Sequence, residues 1–158
     1  MAKNRLKIED LVKKGFVADS NGVWSVSIKG GTKVSETATS VDLGASKSVL
    51  INIKPLSVNE AFKGRRFKTR KYKEFEERVL SVLPPLNLPL PPYCIFFRFG
   101  FSSKASDWDN CIKQTQDCLA KKYKFNDKLI RKGIVETEIV PKGCEYFLFS
   151  ITHLESKF

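Results

Sequence analysis

The alternation of apolar and polar residues divides the second two thirds of the chain into strands and helices. Val49, Ile51 and Ile53 alternate as a strand that Pro55 ends. Thr69 is a candidate N-cap for a helix placing Tyr72, Phe75, Val79 and Val82 on one face, and Pro84-Pro85 stops it. Pro89, Pro91 and Pro92 keep the next connection extended. From Tyr93 to Phe101 both sets of alternating positions are largely apolar, the mark of a central strand covered on both sides. A second amphipathic helix is predicted from about Asp107 to Lys122, with Trp108, Cys111, Ile112, Thr115, Cys118 and Leu119 as its buried stripe. Two strands follow, about 133–140 and 145–153, with Pro141 to Cys144 between them as a hairpin connection. The order β-α-β-α-β-β predicts an α/β or α+β domain with a mixed sheet flanked by helices, its βαβ part right-handed.

The first 47 residues follow a different pattern. Residues 7–15 suit a short helix ending at Gly15, residues 19–22 a turn and residues 23–28 a strand. From Lys29 to Ser48 the composition turns to Gly, Ser, Thr and Lys. Such a segment buries too little surface to offset its ordering entropy and is expected to be largely mobile linker. The sequence therefore predicts an N-terminal appendage and linker over 1–47 and a folded domain over 48–158.

Charge changes the picture most. The 158-residue chain carries a formal +11 and a pI near 9.6, which favours a polyanionic partner, nucleic acid before a membrane surface. No apolar leader opens the chain, and its longest apolar run, Cys94 to Phe101, is interrupted by Arg98 and too short to span a bilayer. A cytoplasmic protein without a membrane partner is the expectation. Cys94, Cys111, Cys118 and Cys144 lack zinc-ligand spacing and are expected as reduced thiols. His153, the single histidine, sits in an apolar alternating strand and suits a structural role, so acyl-transfer chemistry has no support.

Against this positive background stands an acidic point, Ser106-Asp107-Trp108-Asp109-Asn110, with Lys113 following. One account is local: Ser106 caps the helix and Asp109 completes a short capping box favoured by the helix dipole. The other is chemical. Residues two apart on a helix diverge by roughly 200°, so Asp107 and Asp109 converge only if Asp107 lies on the strand–helix junction. The carboxyl end of a central strand is a usual ligand position in α/β sheets. Lys113, on the same face as Asp109, then brings a cation to whatever the carboxylates hold. Such carboxylates bind Mg²⁺ or Mn²⁺, with water and substrate phosphate completing the shell.

The segment between Glu60 and Phe75 is strongly basic, with Lys63, Arg65, Arg66, Lys68, Arg70, Lys71 and Lys73 interleaved with Phe67 and Tyr72. A solvated charged loop explains this blandly. A phosphate-contacting surface explains it functionally, with affinity that falls steeply with salt.

Asp107-x-Asp109-Asn110-x-x-Lys113, followed by Asp127, resembles the RusA family of Holliday junction resolvases. Pro55-Leu-Ser57-Val-Asn59, the basic run Lys63 to Lys68 and the Lys142-Gly143 turn resemble that family's phage-borne members. The likeness spans about 48–154. It implies a homodimeric, Mg²⁺-dependent (or Mn²⁺-dependent) endonuclease that resolves four-way DNA junctions by paired nicks in DNA recombination and repair, without a small-molecule cofactor, in a bacterial or phage-infected cytoplasm. It further implies that Asp107, Asp109 and Asp127 are catalytic metal ligands, that Lys113 is the catalytic lysine, and that Asn59, Asn110 and the basic run meet DNA. Many members carry two acidic residues where this chain has Asn126-Asp127. A helix of about 14 residues beyond Asp109 ends ~20 Å away, so Asp127 joins the cluster only if the chain doubles back or a partner protomer supplies it. Three alternatives stay open: a nuclease of other branched DNA, a catalytically silent architectural DNA-binding protein, and an RNA-bound basic protein.

Overall fold

A computed structural model describes residues 16–18, 24–26, 37–43, 46–64 and 67–155. Most of residues 1–36, including the helix expected at 7–15 and the turn at 19–22, lies outside them, as do Arg65 and Arg66. The domain is α+β. Its main sheet has five strands in the order β3-β4-β9-β7-β8, where β3 is Ala38–Leu43, β4 Ser46–Ile51, β7 Tyr93–Phe101, β8 Ile130–Ile139 and β9 Tyr146–His153. Two small hairpins stand apart from it: β1 (Phe16–Ala18) with β2 (Trp24–Val26), and β5 (Phe62–Lys63) with β6 (Phe67–Lys68). The helices are α1 (Val58–Ala61), α2 (Arg70–Val82) and α3 (Ile112–Tyr123), with a 3₁₀ turn at Asp127–Leu129. Among the described residues no helix is long and apolar enough to cross a membrane.

β7 is an inner strand, parallel to the edge strand β8 on one side and antiparallel to the middle strand β9 on the other. Its Phe97, Phe99 and Phe101, with Phe97 and Phe99 stacked at 5.5 Å, join Tyr72, Phe75 and Val79 of α2 and Cys118 and Leu119 of α3 in one core. The opposite face holds a smaller cluster of Leu50, Val140, Tyr146 and Leu148. There Arg98 is buried and pairs with Glu136, its neighbour on β8, at 2.7 Å.

α2 follows its sequence closely. Thr69 Oγ1 accepts from the Tyr72 N–H at 3.2 Å, and the helix ends before Pro84-Pro85. Three expectations change. Residues 38–43, assigned by composition to the linker, form β3 and pair with β4; an outer strand needs backbone partners more than large apolar side chains. Residues 141–144 do form a turn, with Cys144 N–H donating to the Pro141 carbonyl at 3.0 Å. Yet β8 and β9 are not a hairpin, because β7 lies between them. The physical reason lies in composition: β8 is exposed along most of its length and carries Arg131, Lys132, Glu136 and Glu138, whereas β9 begins with five buried residues. The apolar strand takes the inner position and the charged one the edge. The third change concerns α3, which begins at Ile112 rather than at Asp107.

Candidate functional site

The late start of α3 decides how the acidic stretch is used. The N-cap of α3 is Cys111, with no side-chain cap bond. Ser106 and Asp109 therefore form no capping box; residues 108–111 are a separate turn between β7 and the helix. The turn is tied down by its backbone and by Asn110. Asn110 N–H and Ile112 N–H donate to the carbonyls of Asp107 and Asp109 at 3.4 and 3.1 Å. Asn110 Nδ2 donates to Asp107 Oδ2 at 3.0 Å. Its own carbonyl accepts from Val58 N–H at 2.7 Å and from the buried Gln114 amide, which also donates to the Leu56 carbonyl. Those bonds dock the Pro55–Asn59 segment on the acidic turn, uniting two motifs far apart in sequence.

Their junction is a cleft of about 260 Å³ at the carboxyl end of β7. Asp107, Asn110, Asn59, Lys54, Glu60 and Glu145 are among its lining residues. Glu145 accepts from Ser102 Oγ at 2.5 Å and from Gly143 N–H at 2.8 Å. Burial raises its pKa, but these bonds and the charge of Lys54 outweigh it and hold the carboxyl below its ordinary value. Asp107 and Asp109 are both exposed, and the Asp109 carboxylate has no hydrogen bond or ion pair among the described residues.

Lys113 turns along the helix, away from the acidic turn. Its ammonium lies 2.7 Å from Asp117 and 3.9 Å from Asp127, with no ion pair to Asp109. The chain does double back after α3. Lys124 adopts the left-handed conformation that ends the helix, and Asn126, not Asp127, caps the 3₁₀ turn by accepting from Lys128 N–H at 3.0 Å. That leaves the Asp127 carboxylate to approach Lys113. The predicted constellation is thus divided, with Asp107 at the cleft and Lys113 with Asp127 along α3.

Among the described residues no three carboxylate, thiol or imidazole groups assemble as a metal site, so Asp107, Asp109 and Asp127 do not form one cage in a single protomer. What the turn offers a divalent cation is Asp107 and Asp109, two exposed carboxylates separated by one residue in sequence. That donor set suits Mg²⁺ or Mn²⁺ when water and phosphate supply the remaining oxygens.

The basic residues also separate. Lys68 pairs with Glu76 at 3.6 Å and lies over the Tyr72 ring, Arg70 pairs with Glu74 at 2.7 Å, and Lys71 with Glu60 at 2.8 Å. Lys63 and Lys73 are exposed with no carboxylate partner among the described residues. His153 Nδ1–H donates to the Leu90 carbonyl at 2.9 Å. All four cysteines are free, and burial pushes Cys111 and Cys118 up to about 12.

Sequence reasoning missed Lys54, Glu145 and Asp117. Asp117 had a signal, since it follows Lys113 by one helical turn; Lys54 and Glu145 reach the cleft only through the tertiary fold. No protein-family model matches the chain, and no curated protein matches it.

Proposed function

We propose that the protein is a divalent-metal-dependent endonuclease of branched DNA, acting as a homodimer that resolves four-way junctions by paired nicks. One observation carries this over an architectural role: the acidic pair does not cap α3. In a chain of net charge +11, Asp107 lines the cleft and Asp109 stands exposed on the same anchored turn, its carboxylate without a partner among the described residues, so helix capping does not explain the pair. The docking of Pro55–Asn59 on that turn gives the RusA-like motifs a common location, which supports the same reading.

Asp107 and Asp109 would hold Mg²⁺ or Mn²⁺, whose chemistry is to activate water and stabilise charge at the scissile phosphate. Asn110 orients Asp107 through its amide. Lys113 would supply positive charge to a phosphate lying along α3, where Asp117 and Asp127 hold its ammonium. Lys63, Lys73 and the arginines of the basic run supply sequence-independent phosphate contacts. The partner protomer provides a second site for the symmetry-related strand.

Asp109→Asn tests the assignment, because it removes a charge without disturbing a hydrogen bond of the turn. The variant should bind a four-way junction at least as tightly as wild type and cut it about 10²–10³-fold more slowly. Unchanged cutting would remove Asp109 from the chemistry.

A further inference from the structure

We propose that Trp108 is a base-stacking side chain that recognises an unpaired or distorted nucleobase beside the acidic turn. This rests on the nucleic-acid function above and adds a part of the substrate that phosphate contacts leave undescribed. The helical pattern places Trp108 in a buried stripe, but it lies in the turn before α3 and is 59% exposed. An indole left in water forgoes the large gain from burial, so its position calls for an explanation. Its backbone is not loose: the carbonyls on either side of it, Asp107 and Asp109, accept hydrogen bonds from Asn110 and Ile112, and Asn110 is tied to Val58. The side chain is therefore presented on a fixed platform.

Its neighbours select the partner. In sequence Trp108 lies between the two carboxylates proposed to hold the metal at the phosphate, and its indole offers an uncharged, flat face suited to a group beside that phosphate. A nucleobase has such a face whatever its identity, and stacking on an aromatic side chain tolerates every sequence. Bases inside a duplex are already stacked; those at a branch point or in a single strand are available. Trp108 would therefore favour branched or single-stranded DNA over duplex, a discrimination the lysines and arginines cannot supply because they meet phosphates common to both.

The test compares full-length wild type, Trp108→Ala and Trp108→Phe on a four-way junction and on linear duplex of the same sequence, with 2-aminopurine at the branch point. Binding is measured in Ca²⁺ and cleavage in Mg²⁺. Trp108→Ala should lose about tenfold or more in junction affinity, leave duplex affinity unchanged and abolish the change in 2-aminopurine fluorescence. Trp108→Phe should keep most of the wild-type response. If wild type cuts the junction while Trp108→Ala binds junction and duplex as wild type does, the stacking role is wrong and the nuclease assignment stands. Equal losses on both substrates would also overturn it. A wild-type protein that binds neither substrate would overturn both proposals.

Discussion

Gly100 shows how one residue fixes the sheet's second face. A Cβ built there would lie 2.5 Å from Tyr146 Cε1, and that ring is held through its hydroxyl, which donates to Glu138. Gly100→Ala should therefore destabilise the fold by about 1–3 kcal/mol through overpacking, measurable by urea unfolding; a neutral result would mean that the ring moves aside freely. At the site, Asp117 is the residue whose role is most open to test. Its ion pair fixes Lys113, so Asp117→Asn should slow junction cleavage on the order of tenfold with binding unchanged. Combined with Lys113→Ala it should add little, because the two losses share one interaction. Fully additive effects would separate the two residues. The acidic turn was legible as a candidate from its spacing, whereas the pairing of Lys113 with Asp117 and Asp127 in place of Asp109 was not. Nor were the bonds linking Asn110, Val58 and Gln114, since they join segments about 50 residues apart.

At the level of elements, α2 was legible because cap, apolar face and stop all agree. Thr69 also donates to the Glu60 carbonyl at 2.6 Å, so Thr69→Ala should cost about 1–2 kcal/mol and lower Tm by about 2–8 °C. An unchanged Tm would mean that neither bond contributes. The placement of β9 was hidden for a different reason: alternation reveals that two strands exist, not which neighbour each takes. α3 carries a pH signature. Cys111 and Cys118 rise from the ordinary thiol value of 9.0 to about 12, chiefly through burial, with nearby carboxylates adding to the shift. Because the unfolded thiols ionise first, their contribution is complete below pH 9 and is lost as pH rises from about 9 to about 12. Thermal unfolding should show Tm falling across that interval, less steeply in Cys118→Ala. Equal pH slopes in both proteins would contradict this assignment.

For the whole molecule, charge was the most legible property and its distribution the least. The basic run reads as a single patch in sequence, yet Lys68, Arg70 and Lys71 are engaged by Glu76, Glu74 and Glu60. Net charge thus overstates what is free for a polyanion. Lys73→Ala should weaken binding similarly across DNA sequences and reduce the salt slope by about 1, whereas Arg70→Ala should change that slope less; equal changes would mean that Glu74 releases Arg70 on binding. The division of Asp107 from Asp127 within the chain belongs to this scale too, since the proposed two-fold assembly would offer two copies of each. The most direct test is to incubate the wild-type protein with an end-labelled, immobile four-way junction in Mg²⁺ and in EDTA, resolving the products on a denaturing gel. Paired nicks on two opposing strands, present with Mg²⁺ and absent with EDTA, are the predicted result. An intact junction under Mg²⁺ and Mn²⁺, despite tight binding, would contradict the account and leave a DNA-binding protein without catalysis.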